Sequence, residues 1–182
     1  MTIETEASGQ ASVELAFVLV ALCVFVFGII DFGRALYEVE VMKNLAGEGS
    51  SMASRGATPS TTATAVVTDA GADISLSTKG CVIVTSVAEN AAGTAQVVTA
   101  QAWAGECGST MTSKVGCLSG QGSCKSSAAT LPTTVANALQ QGVAGLNLSV
   151  TEVFYTYSTI TPIPNFLGKA VLPSQLYSVA YY

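Results

Sequence analysis

The stretch that decides the fold is residues 15–30, LAFVLVALCVFVFGII, which contains no charged side chain. Together with Val13 and Glu14 it would rise about 27 Å as an α-helix, close to the roughly 30 Å hydrocarbon core of a bilayer. A cleavable secretory signal would begin with basic residues, have a shorter apolar region and end in small residues. Residues 1–9 contain no Lys or Arg, and the run ends in Ile29 and Ile30. The sequence therefore predicts a helix that spans a membrane and is kept.

One carboxylate, Glu14, stands at the start of this run. A charged side chain costs roughly 2.5–3.5 kcal/mol on insertion scales if it reaches the bilayer centre, so a carboxylate here indicates a binding partner. The alternative is that Glu14 lies at the level of the lipid headgroups and has no role.

The helical pattern continues beyond the apolar run. Apolar side chains recur at steps of three and four, while the charged ones lie mostly off that stripe: Phe32, Leu36, Val39, Met42 and Ala46, against Arg34, Glu38, Glu40, Lys43 and Glu48. We predict one helix over residues 12–55, with Gly56 and Pro59 as its stop signals. Asp31 and Arg34, three residues apart, are predicted to form an ion pair where the helix leaves the lipid. The stripe itself is expected to dock partly onto the rest of the chain.

Residues 56–182 are enough for one modest core. Patterning predicts helices over residues 60–74 and 134–143 and strands over residues 81–87, 94–103, 146–159 and 176–182. In the first helix Ala63, Val66, Val67 and Ala70 are expected to face inward, and a turn is expected around Pro162, Pro164 and Gly168. The fold class is therefore α+β: a long N-terminal transmembrane helix continuing into a small mixed α/β head with an antiparallel sheet.

Charge and composition exclude several functions. The net charge is −5, and no basic cluster is interleaved with aromatic residues, so a nucleic-acid partner is not expected. The chain has no histidine, and its few carboxylates are scattered, so we expect neither an enzyme nor a cofactor. Glu152, on the longest predicted strand, could face Lys169 or solvent, and we expect it to face solvent.

Five cysteines divide into two groups. Cys23 lies in the apolar run and is most simply a small buried hydrophobe. Cys81, Cys107, Cys117 and Cys124 suit two disulfides, for which we favour Cys81 with Cys107 and Cys117 with Cys124. A zinc site is the alternative, although no histidine and no Cys-x-x-Cys pair supports it. Disulfides place the head outside the cytoplasm, whereas Arg34 and Lys43 after the span favour the opposite orientation; we expect export, because acidic residues are interspersed with these bases.

Two further stretches carry a resemblance to a known family. GQASVELAFVLV at residues 9–20 and IIDFGRAL at residues 29–36 resemble the N-terminal segment of TadE-like proteins, the pseudopilins or minor pilins of tight-adherence, type IVb pilus systems. The last thirty residues, with Thr161-Pro-Ile-Pro-Asn-Phe-Leu-Gly168 before a short final strand, are loosely similar to the closing part of that family.

The resemblance implies roles for individual residues. Residues 1–9 would be a leader, residues 10–55 the transmembrane and extended helix, and residues 56–182 the exported head. A prepilin peptidase would cut between Gly9 and Gln10, and Glu14 would pair with the terminal amine of a neighbouring subunit. Val18, Leu22, Phe25 and Ile29 would pack against other helices.

Two functions follow from these observations. The first is a pilin-like subunit, inserted in the cytoplasmic membrane and then packed into an extracellular filament or its assembly complex, with other pilin subunits, the peptidase and the assembly platform as partners. The second is a single-pass membrane protein, without processing or polymerisation, whose exported head binds a ligand or partner.

Overall fold

The structure is a computed structural model that describes residues 4–71, 74–90, 96–118, 128–139, 146–161 and 172–182, with side chains from Gly9 onward. The chain divides into two compact units: Met1–Tyr37 with Ser158–Ser174, and Glu38–Tyr157 with Gln175–Tyr182. The turn predicted around Pro162, Pro164 and Gly168 lies outside the described residues.

The first element is a single helix, α1, at Glu4–Ser54. It begins eight residues before the predicted start at Ser12, because residues 4–11 are mostly good helix formers and contain no proline. It ends at the predicted glycine: Gly56 has φ +97°, its N–H donates to Ala53 O at 3.1 Å, and Ala57 N–H donates to Met52 O at 3.3 Å. This pair of bonds is a Schellman motif, which uses glycine because it tolerates a positive φ.

The second helix, α2, runs over Pro59–Ala70. Thr58 is its N-cap, accepting a hydrogen bond from Thr61 N at 3.2 Å, and Pro59 occupies the first turn, where a missing N–H costs nothing. The buried side chains are Thr62, Ala63, Val66 and Ala70. Val67, predicted to face inward, is only half-buried, because the inward face is centred on the row that contains Thr62 and Val66.

Four strands follow a short helix, α3 (Leu76–Lys79), which patterning did not predict. They are β1 (Gly80–Glu89), β2 (Gln96–Gly105), β3 (Asn147–Thr156) and β4 (Gln175–Tyr181), with α4 (Thr133–Leu139) between β2 and β3. The sheet is antiparallel in the order β2-β1-β3-β4. The predicted α+β class and the antiparallel sheet are confirmed, and each predicted strand is present with ends shifted by a few residues.

Both faces of the central strands are buried within the second unit. On one face α2 packs against β1 and β2, and Gly49 of α1 lies against Val66 and Thr151. On the other face Cys81, Ile83 and Phe154 cluster with Met111, and Val87 and Val150 cluster with Val115 and Leu139. The segment after β2 and helix α4 therefore cover the second face of the sheet.

The buried face of α1 beyond the apolar run differs from the predicted stripe. Met42 and Ala46 are buried as predicted, but Phe32 and Leu36 are 56% and 55% exposed. The buried positions are instead Asp31, Ala35, Glu38, Met42, Leu45, Ala46, Gly49 and Ser50. Small side chains let a helix approach a sheet closely, and Gly49 and Ser50 make such an approach, with Ser50 Oγ donating to Ala180 O at 2.9 Å.

Candidate functional site

The first candidate site is the beginning of the membrane-length part of α1. By length and composition this helix can cross a membrane, and none of its apolar window is buried in the protein. Glu14 is exposed there, and Gln10 Nε2 donates a hydrogen bond to Glu14 Oε1 at 3.2 Å. Residues four apart share one helix face. The helix therefore brings the position after the predicted cleavage site and the predicted acidic residue onto one face.

The residues predicted to pack against other helices form one exposed row. Val18, Leu22, Phe25 and Ile29 are 64%, 61%, 72% and 71% exposed. Their spacing of four, three and four is that of a seven-residue repeat, and the exposed Phe32 and Leu36 continue it. We call these six residues the apolar seam. The stripe was expected to dock only in part, and its undocked residues Phe32 and Leu36 extend the predicted packing surface.

Asp31 is placed differently from the expectation. It is 4% exposed, and its Oδ1 accepts a hydrogen bond from the backbone N–H of Ile160 at 3.1 Å, while its Oδ2 accepts one from the hydroxyl of Thr161. The predicted ion pair between Asp31 and Arg34 stays a prediction. No sequence signal pointed to the partners on residues 160–161, because they lie some 130 positions away.

The prediction for Glu152, a polar side chain of the head, was wrong, because it was expected to face solvent. It is fully buried at 0% exposure rather than facing solvent. Its carboxylate accepts hydrogen bonds from the backbone N–H of Lys114 at 2.8 Å, from Tyr177 OH at 2.9 Å and from the hydroxyl of Ser113. On β3 it shares a face with Val150 and Phe154, between Ile83 of β1 and Val179 of β4. The other partner considered, Lys169, lies outside the described residues.

Burial decides the protonation behaviour of this cluster. Burial raises the pKa of Glu152, and the hydrogen bonds from Ser113, Lys114 and Tyr177 and the charge of Lys114 only partly offset that rise. Burial and the neighbouring carboxylate also raise the pKa of Tyr177 and, in the same order, that of Tyr181. The Lys114 ammonium lies 3.7 Å from the centroid of the Tyr177 ring, in cation–π contact.

A second polar side chain of the sheet, Gln101 on β2, makes hydrogen bonds to the same segment after β2 that Glu152 contacts. Its Nε2 donates to Gly116 O and to Thr85 Oγ1, both at 2.9 Å, and its Oε1 accepts from Leu118 N at 3.3 Å. Glu152 and Gln101 therefore fix residues 113–118 from two points. We call residues 106–118 the covering loop.

A disulfide attaches the beginning of the covering loop to β1. Cys81 and Cys107 form the predicted disulfide, with their Cα atoms 4.7 Å apart. Cys117 is also disulfide-bonded, whereas its predicted partner Cys124 lies outside the described residues. Cys23 is a free, half-buried thiol. Because disulfide sulfurs cannot act as thiolate ligands, the alternative zinc site does not fit Cys81, Cys107 and Cys117.

No group of three His, Cys, Asp or Glu side chains among the described residues is arranged to hold a metal ion. The described residues instead present three features. These are the acidic residue Glu14 near the start of α1, the apolar seam, and a head whose covering loop is held by hydrogen bonds.

Comparison with known proteins gives a match over the part of α1 that carries Glu14 and the apolar seam. No curated protein and no solved structure gives a significant match to the chain. Residues 9–51 match the family model described as TadE-like protein. The match begins at Gly9, covers Glu14 and the whole apolar seam, and stops just before the end of α1. Over these residues the chain is similar to TadE-like proteins, which confirms the resemblance predicted from the sequence.

Proposed function

We propose that the chain is a structural subunit of a tight-adherence pilus or of its assembly complex, anchored through α1. The observation that carries the proposal is the uncovered apolar surface of α1 within the region that matches the TadE-like model. An apolar helix surface of this length requires lipid or other helices around it. A subunit that moves from membrane to filament exchanges the first environment for the second.

The proposal assigns Gly9 and Gln10 to processing by a prepilin peptidase. Hydrolysis of the bond between them would leave a carboxylate on Gly9 and a free ammonium on Gln10. Glu14 would then accept the ammonium of an adjoining subunit, because an unpaired carboxylate and an unpaired ammonium are each costly in a membrane-like environment. The hydrogen bond between Gln10 and Glu14 supports this proposal, since the two side chains lie on one face of α1.

The proposal places the head outside the cytoplasm. The Cys81–Cys107 disulfide supports this, because disulfides persist in oxidising compartments. A periplasmic reporter such as alkaline phosphatase, fused after Tyr182, is expected to be active. An active cytoplasmic reporter at the same position would show the reverse orientation.

Processing is tested by the intact mass of the native protein. A mass that starts at Gln10 in material that co-purifies with pili supports the filament role. A mass that starts at Met1, without co-purification, favours the membrane-anchored binding module instead.

The role of Glu14 is tested by Glu14→Gln, which removes the charge and nearly preserves the shape. We expect filament assembly to be lost while membrane insertion remains. Glu48→Gln is the matched control, because Glu48 is another exposed carboxylate on the same helix, beyond the apolar run. Normal assembly of the Glu14→Gln variant would contradict the proposed pairing.

A further inference from the structure

The described residues that follow β3, 158–161, contact the membrane helix α1. This segment belongs to the same compact unit as residues 1–37. Ile160 N–H and the Thr161 hydroxyl each donate to one oxygen of the Asp31 carboxylate, and Asp31 directly follows the apolar run. The segment is therefore held at the level along α1 where the apolar run ends.

The two hydrogen bonds to Asp31 lower the cost of placing a carboxylate at the end of the apolar run. A carboxylate with unsatisfied oxygens at the edge of the hydrocarbon region is costly, and a donor on each oxygen lowers that cost. The segment brings no charge of its own, since it reads Ser-Thr-Ile-Thr. It therefore covers Asp31 without adding a group that the lipid boundary would exclude.

The segment also presents an apolar side chain outward. Ile160 is 68% exposed, and it lies next to the end of the apolar run of α1, whose large apolar side chains are also exposed. A large aliphatic side chain in this position is stabilised when lipid replaces water around it.

We infer that residues 158–161 lie in the membrane interface and that Ile160 inserts into it, so that the Asp31 contact sets the depth of this segment. The partner is the lipid bilayer at the end of the span. This inference rests on the membrane anchoring in the proposed function, but neither cleavage nor polymerisation is required for it.

The test uses a nitroxide spin label on Ile160→Cys in the full chain, reconstituted in vesicles of phosphatidylcholine and phosphatidylglycerol. Cys23→Ala removes the free thiol, and the disulfides protect Cys81, Cys107 and Cys117 from labelling. The substitution preserves the contact to Asp31, because Ile160 makes it with its backbone. The measurement is the accessibility of the label to oxygen, which concentrates in lipid, and to a water-soluble nickel chelate.

Two reference labels calibrate the result. A label on Val18→Cys is the lipid reference, because Val18 lies in the apolar run. A label on Thr64→Cys is the water reference, because Thr64 is exposed on α2. We expect the Ile160→Cys label to lose most of the nickel accessibility that Thr64→Cys shows, and to regain it when Asp31→Ala is added. Nickel accessibility equal to that of Thr64→Cys, with Val18→Cys in lipid, would overturn the inference alone. An aqueous Val18→Cys label would overturn the anchoring itself, and protection of Ile160→Cys from both reagents would show a protein partner instead of lipid.

Discussion

At the scale of single residues, Glu152 shows how a charged group is accommodated in the middle of a sheet. Its three hydrogen-bond partners all donate, which suits an ionised carboxylate, yet its burial favours the neutral form. A period of two along β3 places Glu152 on the face of Leu148, Val150 and Phe154. That signal was present in the sequence, but the residue type outweighed it in the prediction.

The raised pKa of Glu152 gives a pH dependence with a defined sign. Between the ordinary glutamate pKa of 4.5 and the higher pKa of Glu152 in the folded head, the folded head holds a proton that the unfolded chain has released. The contribution of Glu152 to the free energy of unfolding therefore falls as the pH rises through this window. Urea midpoints from pH 4.5 to about pH 8, followed by fluorescence of Trp103, measure this dependence.

The control for this prediction is Glu152→Gln, which cannot titrate. The difference in unfolding free energy between wild type and variant is expected to decrease as the pH rises, because only the wild type loses the proton. Parallel curves for the two proteins would contradict a raised pKa for Glu152.

At the scale of elements, the packing of α1 within the second unit depends on Gly49. A Cβ at this position would lie 2.9 Å from Thr151 Cγ2 and 2.9 Å from Val66 Cγ2. Both neighbours are β-branched and have restricted χ1 angles, so they cannot easily move aside. The glycine is retained in a helix interior because the sheet and α2 approach it so closely.

We expect Gly49→Ala to be less stable than Gly47→Ala by about 1–3 kcal/mol, the usual cost of overpacking. Gly47 is the matched control, because a Cβ there meets no atom within 4 Å. Both variants gain about 1 kcal/mol of helix propensity, so their difference isolates the contact. The measurement is the urea midpoint of each variant, and equal midpoints would show that α1 does not pack this closely.

The elements also show which features the sequence could predict. The end of α1 at Gly56 and the start of α2 at Thr58 and Pro59 follow from local backbone chemistry, and both were close to prediction. The buried face of α1 was not, because two rows with similar spacing exist: one contains Phe32 and Leu36, and the other Asp31, Ala35 and Glu38. Hydropathy favours the first row, but the contact of Asp31 with residues 160–161 lies on the second.

At the scale of the whole molecule, the apolar seam links membrane anchoring to assembly. Its six residues lie within the first unit, and all are more than half exposed. A repeat of seven keeps one row of side chains facing a partner helix along its length. The remaining apolar side chains of the span suffice for contact with lipid, which makes no demand for such a repeat.

One pair of substitutions distinguishes the effect of the apolar seam on assembly from the effect of the overall hydrophobicity of the span. Leu22 lies on the seam and Leu19 lies off it, yet they are 61% and 56% exposed and only three residues apart. Leu22→Ser and Leu19→Ser therefore reduce the hydrophobicity of the span equally. Both variants are expected to insert in the membrane, as judged by their resistance to carbonate extraction.

Assembly is expected to distinguish them. Helices that leave lipid for one another are held by close packing, and truncating a packed leucine leaves a cavity that costs about 2 kcal/mol or more. Leu22→Ser is therefore expected to reduce incorporation into filaments about tenfold or more. Leu19→Ser is expected to assemble nearly as the wild type does. The measurement is the amount of each variant in sheared pili relative to the amount in membranes. Equal losses for both would show that the helices pack through their whole circumference and that the seam has no special part in the contact.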